Sequence, residues 1–373
     1  MTSPVGRWRD YVLARGDADV RAFWVEHLAE RDRKVLFVVG RGFDPRMCHG
    51  PRLVLAAGGP GARDLLGIQF LEGETSPSLS HQDRIDQNWS ELSNLFADRG
   101  RIETLPLECF SPEGRRVTSQ RARALVDPSI FIDNYSDIII DVSAMPRSVF
   151  FPLIAGLLAL IDARPAGLSP VNLHVMVSED PTLDAGIRVE GVEETAEFMA
   201  SFTGGFDEEA TTYPKVWVPV LGEQRGAQFG RILDMVKPDE VCPVLPSPAR
   251  NPRRGDDIVI EYQRALFDEL RLDPRGFLYA SEDNPFEVYR RVRTAALHYN
   301  DVFKLLGGCK VALTALSSKL MSLGVLLVAY ELKQAEYNIG VAHIECQGYT
   351  LPAGATTRPE LYTLWLAGEC YAT

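Results

Sequence analysis

The segment from Gly40 to Arg46 brings together two glycines, an aspartate and two arginines. Gly40 and Gly42 let the backbone come close to a ligand, and the start of a following helix can bind an anion. Arg41 and Arg46 would add paired hydrogen bonds to a phosphate or carboxylate, with Asp44 between them. These residue types in this order indicate a candidate site for a small anionic ligand.

The same segment matches neither of two familiar phosphate-binding motifs. Pro45 stands where the third glycine of GxGxxG would fall, and no GK[ST] sequence follows, which excludes a P-loop. A second interpretation is a tight turn in which Asp44 caps a helix that begins at Pro45. The sequence leaves both interpretations open.

A second group of polar residues, Asp141, Ser143 and Arg147, follows the apolar run of residues 137–142. An aspartate at the end of a buried strand is costly unless it is paired or faces a cleft. Arg147 or a ligand hydroxyl would supply that partner. Ser143 would either contact the ligand or cap the helix that follows.

A third group, Ser317, Ser318 and Lys319, follows the apolar run of residues 310–315. Two hydroxyls and a lysine at the start of a helix form a plausible cradle for an anion. Simple helix capping explains the serines equally well. The order Ser-Ser-Lys also permits a serine–lysine nucleophile pair, although adjacent residues need not face one another.

A fourth group lies on two loops further along the chain. Arg253 and Arg254 stand in a proline-rich basic loop, and arginines on a stiff loop suit phosphate or carboxylate recognition. Glu282 and Asn284 follow the next apolar run and are the matching candidates there. The alternative is that Asp256 and Asn284 only cap helices.

The cysteines and histidines form no recognisable metal motif in the sequence. No two of the six cysteines are close enough for a CxxC pair, so we interpret them as small core residues of a protein in a reducing compartment. His174 and His343 fall in apolar runs and are predicted to be core histidines with satisfied hydrogen bonds. The sequence therefore predicts no metal and no cofactor, with a nucleotide as the candidate ligand.

An alternation of apolar runs and amphipathic stretches begins at Lys34 and positions all four groups. Such alternation is typical of a parallel sheet covered by helices on both faces. In the first half, strands are predicted at 35–39, 65–71, 102–107, 137–142 and 171–177, with helices at 47–57, 81–98, 119–133 and 147–163. In the second, strands are predicted at 216–220, 240–245, 276–280, 310–315 and 339–345, with helices at 225–236, 256–270, 285–305 and 319–336.

The two halves repeat one order of elements, which we interpret as a duplication. The predicted fold class is α/β, with two Rossmann-like doubly wound parallel-sheet halves in tandem, a pseudo-dimer, and an N-terminal helical preface. In such folds ligands meet the loops after the strands, where the strand order reverses. Trp89 and Phe96, seven residues apart on one helical face, are predicted to be core.

Three parts follow from this pattern. They are an N-terminal helical segment over residues 1–33, a first Rossmann-like domain over 34–206 and a second over 207–373. The linker is predicted within residues 192–214, which include a turn-rich acidic stretch. Residues 347–359 are predicted to be a turn-rich tail, and residues 360–369 one further strand, antiparallel at an edge.

Composition narrows the class of protein. The chain has 373 residues, 46% of them hydrophobic, and a net charge of -12, which argues against an extended nucleic-acid surface because phosphate contacts need a cationic face. The longest apolar run, residues 149–161, is too short to span a bilayer, and the first ten residues do not resemble a signal peptide. We therefore expect a cytoplasmic protein with no membrane partner.

The repeated unit, with polar loops after its first and fourth strands, resembles the CARF superfamily of Rossmann-like sensors. The fused pair is similar to the SAVED arrangement, in which two CARF-like units share one chain. The resemblance covers residues 35–349 and implies binding of a cyclic oligonucleotide in bacterial antiviral defence. By position it implicates the following residues: Gly40, Arg41, Gly42, Asp44, Ser143, Arg147, Gly222, Ser317, Ser318 and Lys319.

Three functions fit these observations. The first is a binding module that senses a nucleotide-like anion and signals through a partner protein or effector, because no orthodox catalytic set is present. The second is an enzyme acting on a nucleotide or phosphorylated metabolite, with Asp44 or Asp141 as base or metal ligand and Arg46 and Arg147 stabilising charge. The third is a structural subunit of a larger complex.

Overall fold

The structure is a computed structural model that describes residues 5–73, 76–186, 188–207, 213–350 and 358–371. Its helices and strands are, in chain order, β1 (Val12–Arg15), α1 (Gly16–Ala29), β2 (Val35–Gly40), α2 (His49–Ala57), β3 (Arg63–Leu71), α3 (Gln82–Phe96), β4 (Ile102–Glu108), α4 (Thr118–Ala124), α5 (Pro128–Phe131), β5 (Asp137–Asp141), α6 (Arg147–Asp162), β6 (Asn172–Glu179), α7 (Pro181–Gly186), β7 (Arg188–Val192), β8 (Glu197–Thr203), β9 (Lys215–Val220), α8 (Gly226–Val236), β10 (Glu240–Val241), β11 (Val244–Pro246), α9 (Arg254–Glu261), β12 (Leu278–Ala280), α10 (Pro285–Val302), β13 (Lys310–Ala315), α11 (Lys319–Gln334), β14 (Ile339–His343), β15 (Cys346–Thr350) and β16 (Glu360–Ala367). Short 3-10 helices, among them Pro45–Cys48, and a π-helical turn at Arg264–Glu269 connect some of these elements.

The first sheet has the strand order β1-β16-β6-β5-β2-β3-β4. Strands β2 to β6 are parallel, whereas β16 runs antiparallel to both β6 and β1. The chain moves outward from β2 through β3 to β4, then returns to the other side of β2 for β5 and β6. The order therefore reverses between β2 and β5, which is the switch point where such sheets bind ligands.

The second sheet has the order β12-β11-β9-β13-β14-β8, and β10 also pairs with β9. Its strands are parallel except β8, which is antiparallel to β14. The order reverses between β9 and β13, the counterparts of β2 and β5. Strands β7 and β15 pair with each other in a small separate sheet.

The predicted α/β fold class is confirmed, since two seven-stranded sheets carry the predicted alternation of strands and helices. Both sheets are mixed rather than wholly parallel, because one antiparallel strand, β16 in the first and β8 in the second, pairs with the fifth parallel strand. Each half buries its own apolar core; Trp24, Phe37 and Phe96 belong to the first, and Trp217 and Phe229 to the second.

Three breaks in predicted elements have local causes. The helix predicted over 119–133 is two short helices, because Asp127 caps a new helix that begins at Pro128. The strand predicted over 240–245 divides into β10 and β11, and Pro243, which has no backbone N–H, lies between them. The helix predicted over 256–270 ends at Glu261 and is followed by the π-helical turn.

The predicted domain boundaries need correction. The chain divides into a first half, Tyr11–Glu190 with the residues from Gln347 onward, and a second half, Gly191–Cys346 with the residues before Tyr11. The predicted linker contains β8, which belongs to the second sheet, and the preface contains β1, which belongs to the first. The tail predicted over 347–359 begins with β15, and its residues 351–357 lie outside the described residues.

The strand predicted near the end of the chain exists as β16, but it lies inside the first sheet and not at an edge of the second. It hydrogen-bonds β6 on one side and β1 on the other, and Leu361, Leu364 and Leu366 are fully buried. Among the described residues, no helix combines the length and apolar character needed to cross a bilayer.

Candidate functional site

The loops after β2 and β5 meet at the switch point of the first sheet. We call residues 40–46 and 141–147 the first switch-point site. A Cβ atom added to Gly42 would lie 3.1 Å from the Cβ of Ala144 and 3.2 Å from its carbonyl oxygen, and one added to Gly40 would lie 2.9 Å from Met145 Cγ. The glycines therefore permit close contact between the two loops, and the structure brings together the two segments that the sequence singled out.

Asp44 and Arg46 are engaged with each other inside this site. Asp44 is 8% exposed, accepts a hydrogen bond from the backbone N–H of Arg46 at 3.0 Å and caps the 3-10 helix that begins at Pro45. The Arg46 guanidinium donates to Asp44 at 2.7 Å and to Asp184 at 2.9 Å. Burial alone would lower the pKa of Arg46, but the bonds and charges of these carboxylates raise it. The capping interpretation of Asp44 is therefore the one that the structure shows.

Asp141 and Ser143 are also held within the protein. Asp141 is 1% exposed, and its Oδ1 accepts the backbone N–H of Ser143 at 2.8 Å. The Ser143 hydroxyl accepts the backbone N–H of Ser178 at 2.9 Å, which ties the loop after β5 to β6. Both side chains set the shape of the loop. Arg147 is half-buried and begins α6, so it lies at the carboxyl edge as predicted.

Arg41 differs from the other charged residues of the site. Its guanidinium carbon lies 4.8 Å above the centre of the Trp89 ring, and one terminal nitrogen lies 3.9 Å from Asp86. Its Nε is buried and makes no hydrogen bond. The Arg41 backbone N–H donates to Ile68 at 2.9 Å and so extends the β2–β3 ladder. This backbone hydrogen bond fixes the main chain of Arg41 to the sheet. The Arg41 side chain still has a donor that a ligand could use.

Three residues around Arg41 were not predicted as part of a site. Trp89 was predicted to be core with Phe96; it packs on the core but is only partly buried, and its ring supports Arg41. Asn88 donates to the carbonyl of Gly42 at 3.1 Å, and His81 lies 4.7 Å from the Phe43 ring. The sequence did place α3 after β3, a strand next to the switch point. That position could have indicated that side chains of α3 lie near the site, because ligands bind at the carboxyl ends of these strands.

The equivalent loops of the second sheet also meet. We call residues 221–224 and 314–319 the second switch-point site. A Cβ added to Gly222 would lie 2.6 Å from the Leu316 carbonyl and 2.7 Å from Ser317 Cα. Ser318 caps α11 by accepting the backbone N–H of Met321, and the Ser317 hydroxyl contacts Met321 Sδ at 3.2 Å. Capping therefore explains Ser318, while Lys319 is half-buried at the start of the helix.

Two members of the fourth predicted group, Arg254 and Glu282, form an ion pair with each other. Arg254 donates to both carboxylate oxygens of Glu223, at 2.6 and 2.9 Å, and to Glu282 at 2.6 Å. Asn284 caps α10 by accepting two backbone N–H groups. Arg254, Glu282 and Asn284 therefore all have hydrogen-bond partners within the protein. Arg253 is exposed. Glu223, which the sequence did not indicate, joins the loop after β9 to α9.

We expect Gly222→Ala to destabilise the second half by about 1–3 kcal/mol, because the new methyl group would overlap backbone atoms of the loop after β13. Chemical denaturation measures the change. Gly226→Ala is the matched control, since a Cβ there meets nothing within 4 Å. Equal stability of the two variants would show that the loops after β9 and β13 are not in close contact.

A separate cavity of about 150 Å³ lies at the opposite, amino edge of the first sheet. Asp64 there accepts hydrogen bonds from the Tyr135 hydroxyl at 2.7 Å and from the Arg101 backbone at 2.8 Å. Burial and the neighbouring carboxylate raise the pKa of Tyr135 to about 12, so its hydroxyl stays protonated near neutral pH. The cavity includes none of the residues predicted as a ligand site.

None of the six cysteines, all of which lie in the described part of the chain, forms a disulfide, and five of them are buried. Burial raises the pKa of Cys48 to about 12 and that of Cys242 to about 11. Since the thiolate is the nucleophilic form, neither residue is suited to attack a substrate near neutral pH. This agrees with their interpretation as core residues.

Comparison with known proteins gives structural likenesses at low sequence identity. No family model matches the chain, and no curated protein matches its sequence. The chain is similar to the structure of a type III CRISPR defence DNA nuclease activated by cyclic oligoadenylate, with a TM-score of 0.46, 10% identity, and coverage of 79% of this chain and 64% of that one. It is also similar to a universal stress protein from Archaeoglobus fulgidus DSM 4304, with a TM-score of 0.21, 9% identity, and coverage of 82% and 94%. Both likenesses are too distant to assign a function.

Proposed function

We propose that the chain senses a nucleotide-like anionic ligand, bound at the first switch-point site through Arg41. The supporting observation is the buried Arg41 Nε, which makes no hydrogen bond. Arg41 stands between Gly40 and Gly42, the two glycines that contact the loop after β5, and its side chain extends toward β3 and α3. A buried donor without a partner costs free energy, so a ligand that accepts from it gains that energy on binding. An anion is the natural acceptor, because hydrogen bonds between a guanidinium and a charged oxygen are the strong ones.

The aromatic support of Arg41 favours a nucleotide over a simple anion. Arg41, whose guanidinium carbon lies over the Trp89 ring, can donate to a phosphate, while the rings of Phe43 and His81, which contact each other, offer stacking partners for a base. A cyclic oligonucleotide, the ligand that the resemblance to CARF and SAVED sensors implies, contains both chemical features.

Signalling through a partner in antiviral defence is the second part of the proposal. Asp44 and Asp141, the acids that an enzymatic reaction would use, are both buried and hydrogen-bonded within the protein. A bound ligand that is not consumed can act only by changing the protein, so a protein partner would read the liganded state.

We expect Arg41→Ala to weaken binding of the ligand by roughly 10- to 100-fold, the equivalent of one charge-assisted hydrogen bond of about 1.5–3 kcal/mol. A screen of mononucleotides, dinucleotides and cyclic oligoadenylates by thermal shift would find the ligand, and calorimetric titration would measure its affinity. Arg84→Ala is the matched control, because Arg84 is an exposed arginine on the same helix as Trp89.

Two results would contradict this proposal. In the first, no nucleotide in the screen raises the melting temperature of the protein, which would favour a structural subunit. In the second, a nucleotide binds the wild type and Arg41→Ala with equal affinity, which would show that the ligand binds at another site. Mass spectrometry of the ligand after incubation distinguishes a sensor, which returns it intact, from an enzyme.

A further inference from the structure

Two histidines and an aspartate meet in the interior of the first half, far along the strands from the first switch-point site. His27 comes from α1, Asp137 begins β5, and His174 lies in β6 near its amino end. One candidate ligand atom from each side chain lies within 4.8 Å of the others. His27 is 4% exposed, and Asp137 and His174 are fully buried. The sequence had suggested isolated histidines, because these residues are distant along the chain.

His174 is the unusual member of this group. It was predicted to be a core histidine with satisfied hydrogen bonds, but neither of its ring nitrogens makes one. The rings of Phe23, Trp24 and Trp365 surround it, with centroids 4.8–5.9 Å away. A fully buried imidazole that makes no hydrogen bond on either nitrogen is costly, and such a group points to an ion or water that would satisfy it.

The distances within the group resemble those of a metal site. His174 Nε2 lies 3.4 Å from Asp137 Oδ1, which is long for a hydrogen bond. Two ligand atoms on a tetrahedral zinc ion, each about 2.0–2.2 Å from it, are separated by about 3.3–3.6 Å. His27 Nε2 lies 2.7 Å from the same Asp137 oxygen, so it would need to move by roughly 0.6–0.9 Å to share an ion.

The surrounding charges tolerate a cation. Arg33 contacts Asp137 Oδ2 at 3.5 Å, on the carboxylate oxygen that the histidines do not approach. Glu369 at 3.1 Å and Glu30 at 2.8 Å pair with that same guanidinium. Asn172 also donates to Asp137 Oδ1 at 3.0 Å and orients the carboxylate, as hydrogen bonds to a ligand commonly do.

We propose that His27, Asp137 and His174 bind one divalent transition-metal ion, with Zn²⁺ the best match. Two imidazoles and a carboxylate are ligands that zinc prefers, and a fourth ligand from outside these side chains completes its coordination. The ion joins α1 to β5 and β6 and thereby stabilises the first half. It is distinct from the nucleotide site, which lies at the other edge of the same sheet.

Burial decides how the site must be tested. Because all three side chains are closed to solvent, the ion enters while the chain folds and does not exchange readily with the native protein. The full-length chain is therefore unfolded in guanidinium chloride with a chelator, then refolded either with Zn²⁺ or with chelator alone. After dialysis, we expect one zinc ion per refolded chain by mass spectrometry and a melting temperature several degrees above that of the chelator sample.

Substitution and spectroscopy locate the ion. His174→Phe, which keeps an aromatic ring among the aromatic neighbours, is expected to retain no zinc and to melt at one temperature in both samples. His298→Gln is the control, because His298 is exposed, and it should bind like the wild type. Refolding the wild type with Co²⁺ should give visible absorption bands. X-ray absorption of the wild type refolded with zinc should show two imidazole ligands. Both measurements use the wild type, so they test the proposal even if His174→Phe does not fold.

The proposal is wrong if the refolded wild type retains no metal and melts identically with zinc and with chelator. It is also wrong if His174→Phe folds and retains as much zinc as His298→Gln. X-ray absorption that shows sulfur ligands would place the ion on cysteines instead. Each of these outcomes leaves the nucleotide proposal intact, since that proposal uses Arg41 and no metal.

Discussion

Replacing Arg33 with methionine is expected to lower the free energy of unfolding of the first half by about 3–5 kcal/mol. Arg33 is fully buried, donates to the His27 carbonyl at 2.7 Å and pairs with Asp137 and Glu369. Removing only the guanidinium leaves the Asp137 charge buried with fewer partners, which is the costly way to break such a pair. Denaturation in urea, followed by tryptophan fluorescence, measures the loss.

Arg31→Met provides a matched comparison for Arg33→Met. Arg31 also contacts Glu369, but its side chain is 51% exposed, so its loss should cost about 1 kcal/mol or less. Similar losses for the two variants would mean that Arg33 does not hold a buried charge network.

Leu364→Ala is expected to destabilise the first half by about 2–5 kcal/mol and to leave the second half unchanged. Leu364 is fully buried on β16, opposite Val175 of β6 and Leu13 of β1. Hydrogen exchange measured by mass spectrometry should become faster in β1, β6 and β16 and remain slow in β9 and β13.

The reverse pattern is expected for Leu323→Ala. Leu323 is a fully buried leucine of α11 in the second half, so its loss should affect β9 and β13 and spare β6. If Leu364→Ala instead increased exchange in the second sheet, β16 would belong there, as the sequence had suggested.

Local patterns in the sequence were sufficient to predict most of the fold. The strand at 35–39 extends by one residue to Gly40, and the helix at 147–163 ends one residue earlier, because apolar runs and helix starts are encoded in neighbouring residues. The sheet that receives β16 was not predictable in this way. Its apolar residues fit any buried strand, and only long-range pairing with β6 decides among them.

The sequence was sufficient to predict which two loops meet at the switch point of the first sheet, but not the partners of their side chains. The loops after β2 and β5, which carry the predicted polar residues, do meet, as the switch-point rule requires. Which of these side chains is available to a ligand depends on contacts with residues that are distant in the sequence. The pairing of Arg46 with Asp184 engages one arginine, and the stacking of Arg41 on Trp89 orients the other. Neither partner is close enough in sequence to be read from a motif.

The histidine cluster shows the same limit more strongly. Spacing rules for metal ligands recognise short intervals along one element, whereas His27, Asp137 and His174 come from a helix and two strands separated by long stretches of chain. Only the packing of α1 against β5 and β6 puts them together.

The division of the chain also constrains how the protein is made. The second half is inserted between β6 and β16 of the first, so a ribosome completes the inserted unit before it synthesises Glu360–Ala367. Until then, the first sheet on the nascent chain lacks the strand that joins β6 to β1. We therefore expect the inserted unit to reach its native state earlier during synthesis, with β6 exposed to chaperones for longest.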